Sequence, residues 1–136
     1  VTLYGDSSAL FKLYVTEAGT ERVQRLVSDA STIVTSEVAF VEICAAFARL
    51  RRERRLTPSS ARQAKLQLEE DWPSFVTVPL EPRLLTIAAA LAETHGLRAL
   101  DSIHLASFQQ ILERTDDEIE FSSFDDRLNR AAKRLR

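Results

Sequence analysis

Apolar positions recur along this chain in two periods, and the alternation between them lays out the elements. A short apolar run, Leu3-Tyr4, breaks at Gly5-Asp6-Ser7-Ser8, and Leu10, Leu13 and Tyr14 then fall at helical spacing. This reads as a strand feeding straight into a helix, with Asp6 at the joint and Ser7 or Ser8 as the cap. Val23, Leu26 and Val27 mark a short helix within 21–30, and Thr32 to Thr35 is a β-branched run, the second strand. A long helix is expected over 36–55, capped by Thr35 or Ser36, with the stripe Ala39, Ile43, Ala46, Phe47 and Leu50. Thr57-Pro58 then starts another helix, running to about Asp71. Phe75 to Leu80 alternates as a third strand, and a helix over 82–95 stops at Gly96. A helix over 101–114, a fourth strand over 119–122 and a closing helix over 125–134 complete the pattern.

Strands alternating with helices predict one domain over 1–136, a three-layer α/β/α fold. Its central sheet is expected to be mostly parallel, with four strands and a fifth left open. Composition narrows the class. At 45% hydrophobic and 28% charged, with 3 Gly and 4 Pro, the chain has the make-up of a packed globular protein. No apolar run approaches the roughly 20 residues that span a bilayer, and no basic segment precedes an apolar one as in a secretory leader. The single Cys44 has no partner for an internal disulfide, which fits the cytoplasm. With a net charge of −2, any nucleic-acid partner has to be held by a local basic patch.

Four carboxylates stand in places that ordinary surface acids do not favour. Asp6 and Asp125 each lie where a strand gives way to a helix. Asp101 shares a stripe with Leu105, Phe108 and Leu112, at the core-facing edge of a first helical turn, a costly place for an unpaired charge. Glu42 sits one position off the core stripe, and taken alone it reads as a solvated flank residue paired with Arg49. Glu37 is about 140° round the same expected helix from Glu42, and Asp126 about 100° from Asp125, so neither should face a shared site. His104 reads as a packing or supporting histidine more readily than as a metal ligand.

The combination says more than any one of them. In a parallel α/β sheet the joints that follow strands gather at one edge. Carboxylates collected there repel one another unless a cation neutralises them, and all-oxygen donors select Mg²⁺ or Mn²⁺. One Cys and two His exclude a structural zinc site. An aspartyl-phosphate phosphatase would want a second Asp two residues after the first, where Ser8 stands. Carboxylate-held divalent ions are suited instead to in-line attack on a phosphodiester.

The segments 6–10, 36–42, 100–106 and 123–125 resemble, in order and spacing, the four acidic motifs of PIN-domain nucleases, and the VapC toxins of type II toxin–antitoxin pairs in particular. The resemblance implies a Mg²⁺- or Mn²⁺-dependent endoribonuclease inhibited by a VapB-type antitoxin, as a homodimer or a toxin–antitoxin hetero-oligomer. By position, Asp6, Glu42, Asp101 and Asp125 match the metal-binding acids, and Ser7 and Ser123 the hydroxyls that support them. Gly5 departs from the pattern, since a bulkier apolar residue is usual there, and the sequence stops at Arg136, where many relatives add a final edge strand, so a fifth strand is not assumed. Arg49, Arg51, Arg52 and Arg55 crowd the end of the long helix, as a solvated terminus or as an RNA phosphate track. A PIN-like RNA- or protein-binding module without catalysis is the competing reading, and the presence of all four acids weighs against it.

Overall fold

The computed structural model describes all 136 residues. Four strands, β1 (Thr2–Gly5), β2 (Thr32–Ser36), β3 (Val76–Val78) and β4 (Ile119–Ser122), form a wholly parallel sheet in the order β3-β2-β1-β4. Six α-helices connect them and a seventh closes the chain: α1 (Ser7–Leu10), α2 (Thr20–Asp29), α3 (Ala39–Arg52), α4 (Pro58–Asp71), α5 (Pro82–His95), α6 (Ala99–Arg114) and, last, α7 (Asp126–Arg134). There is no fifth strand.

Side chains alternate across the strands and so build two cores. On one face Tyr4, Val34, Val78 and Ile119 pack with Leu84 and Ala88 of α5, Leu105 and Phe108 of α6 and Leu128 of α7. Tyr4 stacks on Phe121 with centroids 5.6 Å apart, and Phe108 lies 4.7 Å from Phe121. On the other face Leu10, Ala39, Ile43, Phe47, Ala64 and Leu68 join α1, α3 and α4, with Ile33 of β2 against them. The three layers follow from this division.

Gly5 has a packing reason. A Cβ there would come within 2.9 Å of Leu10 Cδ2, so the leucine that begins the first helical face occupies the space a larger residue would need. The expected start of the long helix is corrected. β2 continues through Ser36, which pairs with Val78, and α3 begins only at Ala39. Ser36 Oγ accepts the Val38 N–H, and no side chain caps α3 itself. Glu37 therefore lies in a turn, where its N–H donates to Val78 O and its Oε2 accepts the Leu80 N–H at 2.9 Å. Other boundaries hold: Thr57 caps α4 by accepting the Ser60 N–H, and Gly96 ends α5 at φ 64°.

Candidate active site

The carboxyl ends of β1 and β4 are neighbours, and this fixes where two of the acids sit. The Asp6 N–H donates to Ser122 O, extending the ladder by one residue beyond the strand. The backbone of Asp6 is still extended (φ −80°), and the residue is 2% exposed. Its side chain caps α1 itself, in place of Ser7 or Ser8: Oδ1 accepts the Ala9 N–H at 3.0 Å and the Ser8 hydroxyl at 2.7 Å. Oδ2 accepts the Ser123 hydroxyl at 2.6 Å. Burial still dominates and raises the Asp6 pKa above its ordinary 3.8, against the opposing pull of His104 and these hydrogen bonds.

Asp125 caps α7, its Oδ1 accepting the Leu128 N–H at 2.8 Å, and its own N–H donates to Ser123 Oγ at 3.0 Å. Ser123 thus touches both acids. Asp101 is in the first turn of α6, which starts two residues earlier than expected. Its partner is Arg98: Nε donates to Asp101 Oδ2 at 3.1 Å, and Nη2 of the same guanidinium reaches Asp125 Oδ2 at 3.4 Å. Both carboxylates raise the pKa of Arg98, which is 80% exposed at its side chain.

Glu42 comes from α3 on the far side of the sheet edge and pairs not with Arg49 but with His104. Nε2 of His104 lies 2.7 Å from Glu42 Oε1, and Nδ1 lies 2.8 Å from Tyr4 Oη. An ionised carboxylate only accepts, so Nε2 carries the proton and donates. Burial raises the Tyr4 pKa first of all, which keeps the phenol protonated. His104, 1% exposed, is therefore a fixed strut between the core and Glu42.

Hydrogen bonds run from Asp101 through Arg98 to Asp125 and through Ser123 to Asp6, while Glu42 is bonded separately to His104, three residues beyond Asp101 on α6. The four acids are brought to one edge, while no three acidic, histidine or cysteine side chains close into a ready-made metal cage. The donor set is nonetheless all oxygen, the buried Asp6 lacks a direct cationic partner, and a guanidinium already lies between Asp101 and Asp125. These residues fit a hard divalent cation. Ser7 lies in an adjoining hollow of about 300 Å³ with Ser8, Lys12, Glu42, Arg49, Arg55 and Phe124. Of the arginine cluster, Arg49 and Arg55 face this hollow, Arg51 lines a separate recess beside Thr57, and Arg52 is exposed. Asp126 turns away into a second hollow of about 490 Å³ with Arg22, Arg130, Lys133 and Arg136.

Arg98 and Lys12 were missed by sequence reasoning. Arg98 stands three residues before Asp101, the spacing at which helix-start side chains meet, and that was the available signal.

A PIN-domain family model matches residues 3–134. Ribonucleases VapC45 and VapC49 of Mycobacterium tuberculosis, from strains CDC 1551 and H37Rv, are each 34% identical to this chain over 105 residues, 77% of it and 73% of theirs. The chain belongs to the PIN-domain family and, within it, to the VapC ribonucleases. Solved structures share the fold. The crystal structure of FitAcB from Neisseria gonorrhoeae superposes with a TM-score of 0.72 at 19% identity, over 96% of this chain and 93% of that one. VapC20 of M. tuberculosis, a Sarcin-Ricin loop cleaving toxin, does so at 0.69 and 16%, over 95% and 94%.

Proposed function

We propose that this VapC-family chain is an endoribonuclease toxin whose four carboxylates work as one cation site. What supports the reading is the chain of hydrogen bonds that joins Asp6, Asp125 and Asp101 through Ser123 and Arg98, with Glu42 held by His104 of the same helix as Asp101. Asp6, Glu42, Asp101 and Asp125 would hold Mg²⁺ or Mn²⁺, which when bound lowers the pKa of an attacking water and offsets charge on the phosphate oxygens.

The chain's own part is positioning. Three hydrogen bonds fix both oxygens of Asp6, and His104, braced by Tyr4, fixes Glu42. Ser123 sets the spacing of Asp6 and Asp125 by bonding to the carboxylate of one and the backbone of the other. Arg98 presents a planar pair of donors at the rim, suited to a phosphodiester once its carboxylates are otherwise compensated. Hydrolysis forms one P–O bond from water and breaks one to a ribose oxygen, which leaves with a proton.

A VapB-type antitoxin is the proposed inhibitor, and VapC membership supports it; the proposed assembly is a homodimer or a toxin–antitoxin hetero-oligomer. No helix is long and apolar enough to cross a membrane, and the unpaired Cys44 fits the cytoplasm as the place of action. The test is cleavage of end-labelled RNA with Mg²⁺, Mn²⁺ or EDTA, with analysis of the new ends. Metal-dependent cuts without a 2′,3′-cyclic phosphate are expected. Cuts that survive EDTA, or that leave a cyclic phosphate, would overturn hydrolysis by metal-activated water.

A further inference from the structure

Phe124 is one of the few large apolar side chains left open to solvent, at 40% exposure. It lines both hollows and so forms the ridge between them. Its neighbours in the chain are Ser123 and Asp125, and its own N–H donates at 2.9 Å to Ser8 Oγ, the hydroxyl that binds Asp6. It is the one aromatic ring among the exposed large apolar side chains.

The ring is also held. Lys12 Nζ lies 4.3 Å from its centroid. Lys12 is buried, and its ammonium is kept in place by Glu17 Oε1 at 2.7 Å, while the Thr20 hydroxyl donates to its carbonyl. A partly desolvated ammonium over an aromatic face is attracted more strongly than one in water. Gly19, at φ 95°, closes on the ring's edge: a Cβ there would lie 2.6 Å from Phe124 Cε1. A left-handed glycine and a buried lysine are thus both fitted to one half-exposed ring. A cover for Lys12 alone would need only apolar bulk, which leucine supplies.

We propose that Phe124 is the stacking platform for one nucleobase of single-stranded RNA, the base beside the phosphodiester presented to the carboxylates. This rests on the endoribonuclease reading and adds how the substrate is gripped. Bases of any kind stack on an aromatic face, and cations along the strand take up the phosphates. Here Arg49 and Arg55 stand on one side of the ridge and Arg22, Arg130 and Lys133 on the other. A duplex keeps its base faces covered by their neighbours, so the occupant is a single strand.

The experiment is a binding titration of the full chain with single-stranded RNA carrying 2-aminopurine, in Ca²⁺ to suppress cleavage and at several salt concentrations. Wild type, Phe124→Ala, Phe124→Leu and Phe124→Trp are compared, with melting curves for each. Quenching of the probe is expected with wild type and Phe124→Trp. Phe124→Ala and Phe124→Leu should bind about tenfold or more weakly, with the salt dependence unchanged because no charge is removed. Phe124→Leu keeps the cover over Lys12, so it reads stacking even if the alanine variant is unstable. Binding by Phe124→Leu within about twofold of wild type overturns the platform, as does weakened binding accompanied by a flattened salt dependence. Wild type that neither binds nor cleaves RNA would sink the ribonuclease reading along with it. Wild-type binding that Phe124→Leu retains sinks the platform alone.

Discussion

Asp6 carries the tension of this site. It is nearly inaccessible, its pKa is raised by burial, and at neutral pH its charge costs stability that only a cation would restore. A raised carboxylate pKa means that the stabilising contribution is complete below the ordinary 3.8 and is lost as the pH rises through the folded value. Metal-free Asp6→Asn is therefore expected to melt at a higher temperature than wild type near pH 7. The gap should vanish below 3.8, because the amide keeps the acceptor that Ser8 and Ala9 use. Melting in EDTA across pH checks it, and a lower melting temperature for the variant at pH 7 would mean that the hydrogen bonds outweigh burial. Arg98 is the counterpart. By occupying Asp101 and Asp125 it competes with any ion they bind, so Arg98→Ala should tighten Mn²⁺ binding, read by calorimetric titration. Weaker binding would place the guanidinium outside that competition. Asp101 was legible as a costly acid needing a partner; which partner was not, since Arg98 sits before the helix and reads as an ordinary exposed base.

At the scale of elements, the helix ends decide what reaches the site. α3 was legible by its stripe, and Ala39, Ile43, Phe47 and Leu50 are all buried. Its start was not, because Ser36 and Glu37 are held by hydrogen bonds to β3 and the residues after it, some forty positions on in sequence, and local pattern carries no trace of them. The same limit hid the pairing of Glu42 with His104, 62 positions away. At the other end of α3 the arginines separate by direction. Arg49 and Arg55 share a hollow with Glu42, so replacing both with Ala should flatten the salt dependence of RNA binding by about 0.7 for each phosphate no longer held. Replacing Arg51 and Arg52 should change it less. A titration with single-stranded RNA at several salt concentrations makes the comparison, and an equal or greater effect from Arg51 and Arg52 would move the phosphate track away from the hollow.

Across the whole molecule, the parallel sheet was readable from alternating strands and helices, and the gathering of strand-to-helix joints at one edge followed from it. The strand order, with β1 between β2 and β4, is what puts Asp6 beside Asp125, and sequence pattern does not supply that order. The two cores hold the edge from both sides: α3 rises from one with Glu42, and α6 from the other with Asp101 and His104. The central claim, that acids from both layers form one cation site, is tested most directly by the melting temperature with and without millimolar Mn²⁺. Wild type is compared with Asp6→Asn, Glu42→Gln, Asp101→Asn and Asp125→Asn, and with Glu37→Gln and Asp126→Asn as controls. Binding at about 100 times Kd adds roughly 2.7 kcal/mol, so wild type and both controls should melt higher with Mn²⁺, and the four site variants should forfeit most of that rise. A wild-type melting temperature indifferent to both Mn²⁺ and EDTA, or a rise that all four site variants retain, would contradict the account.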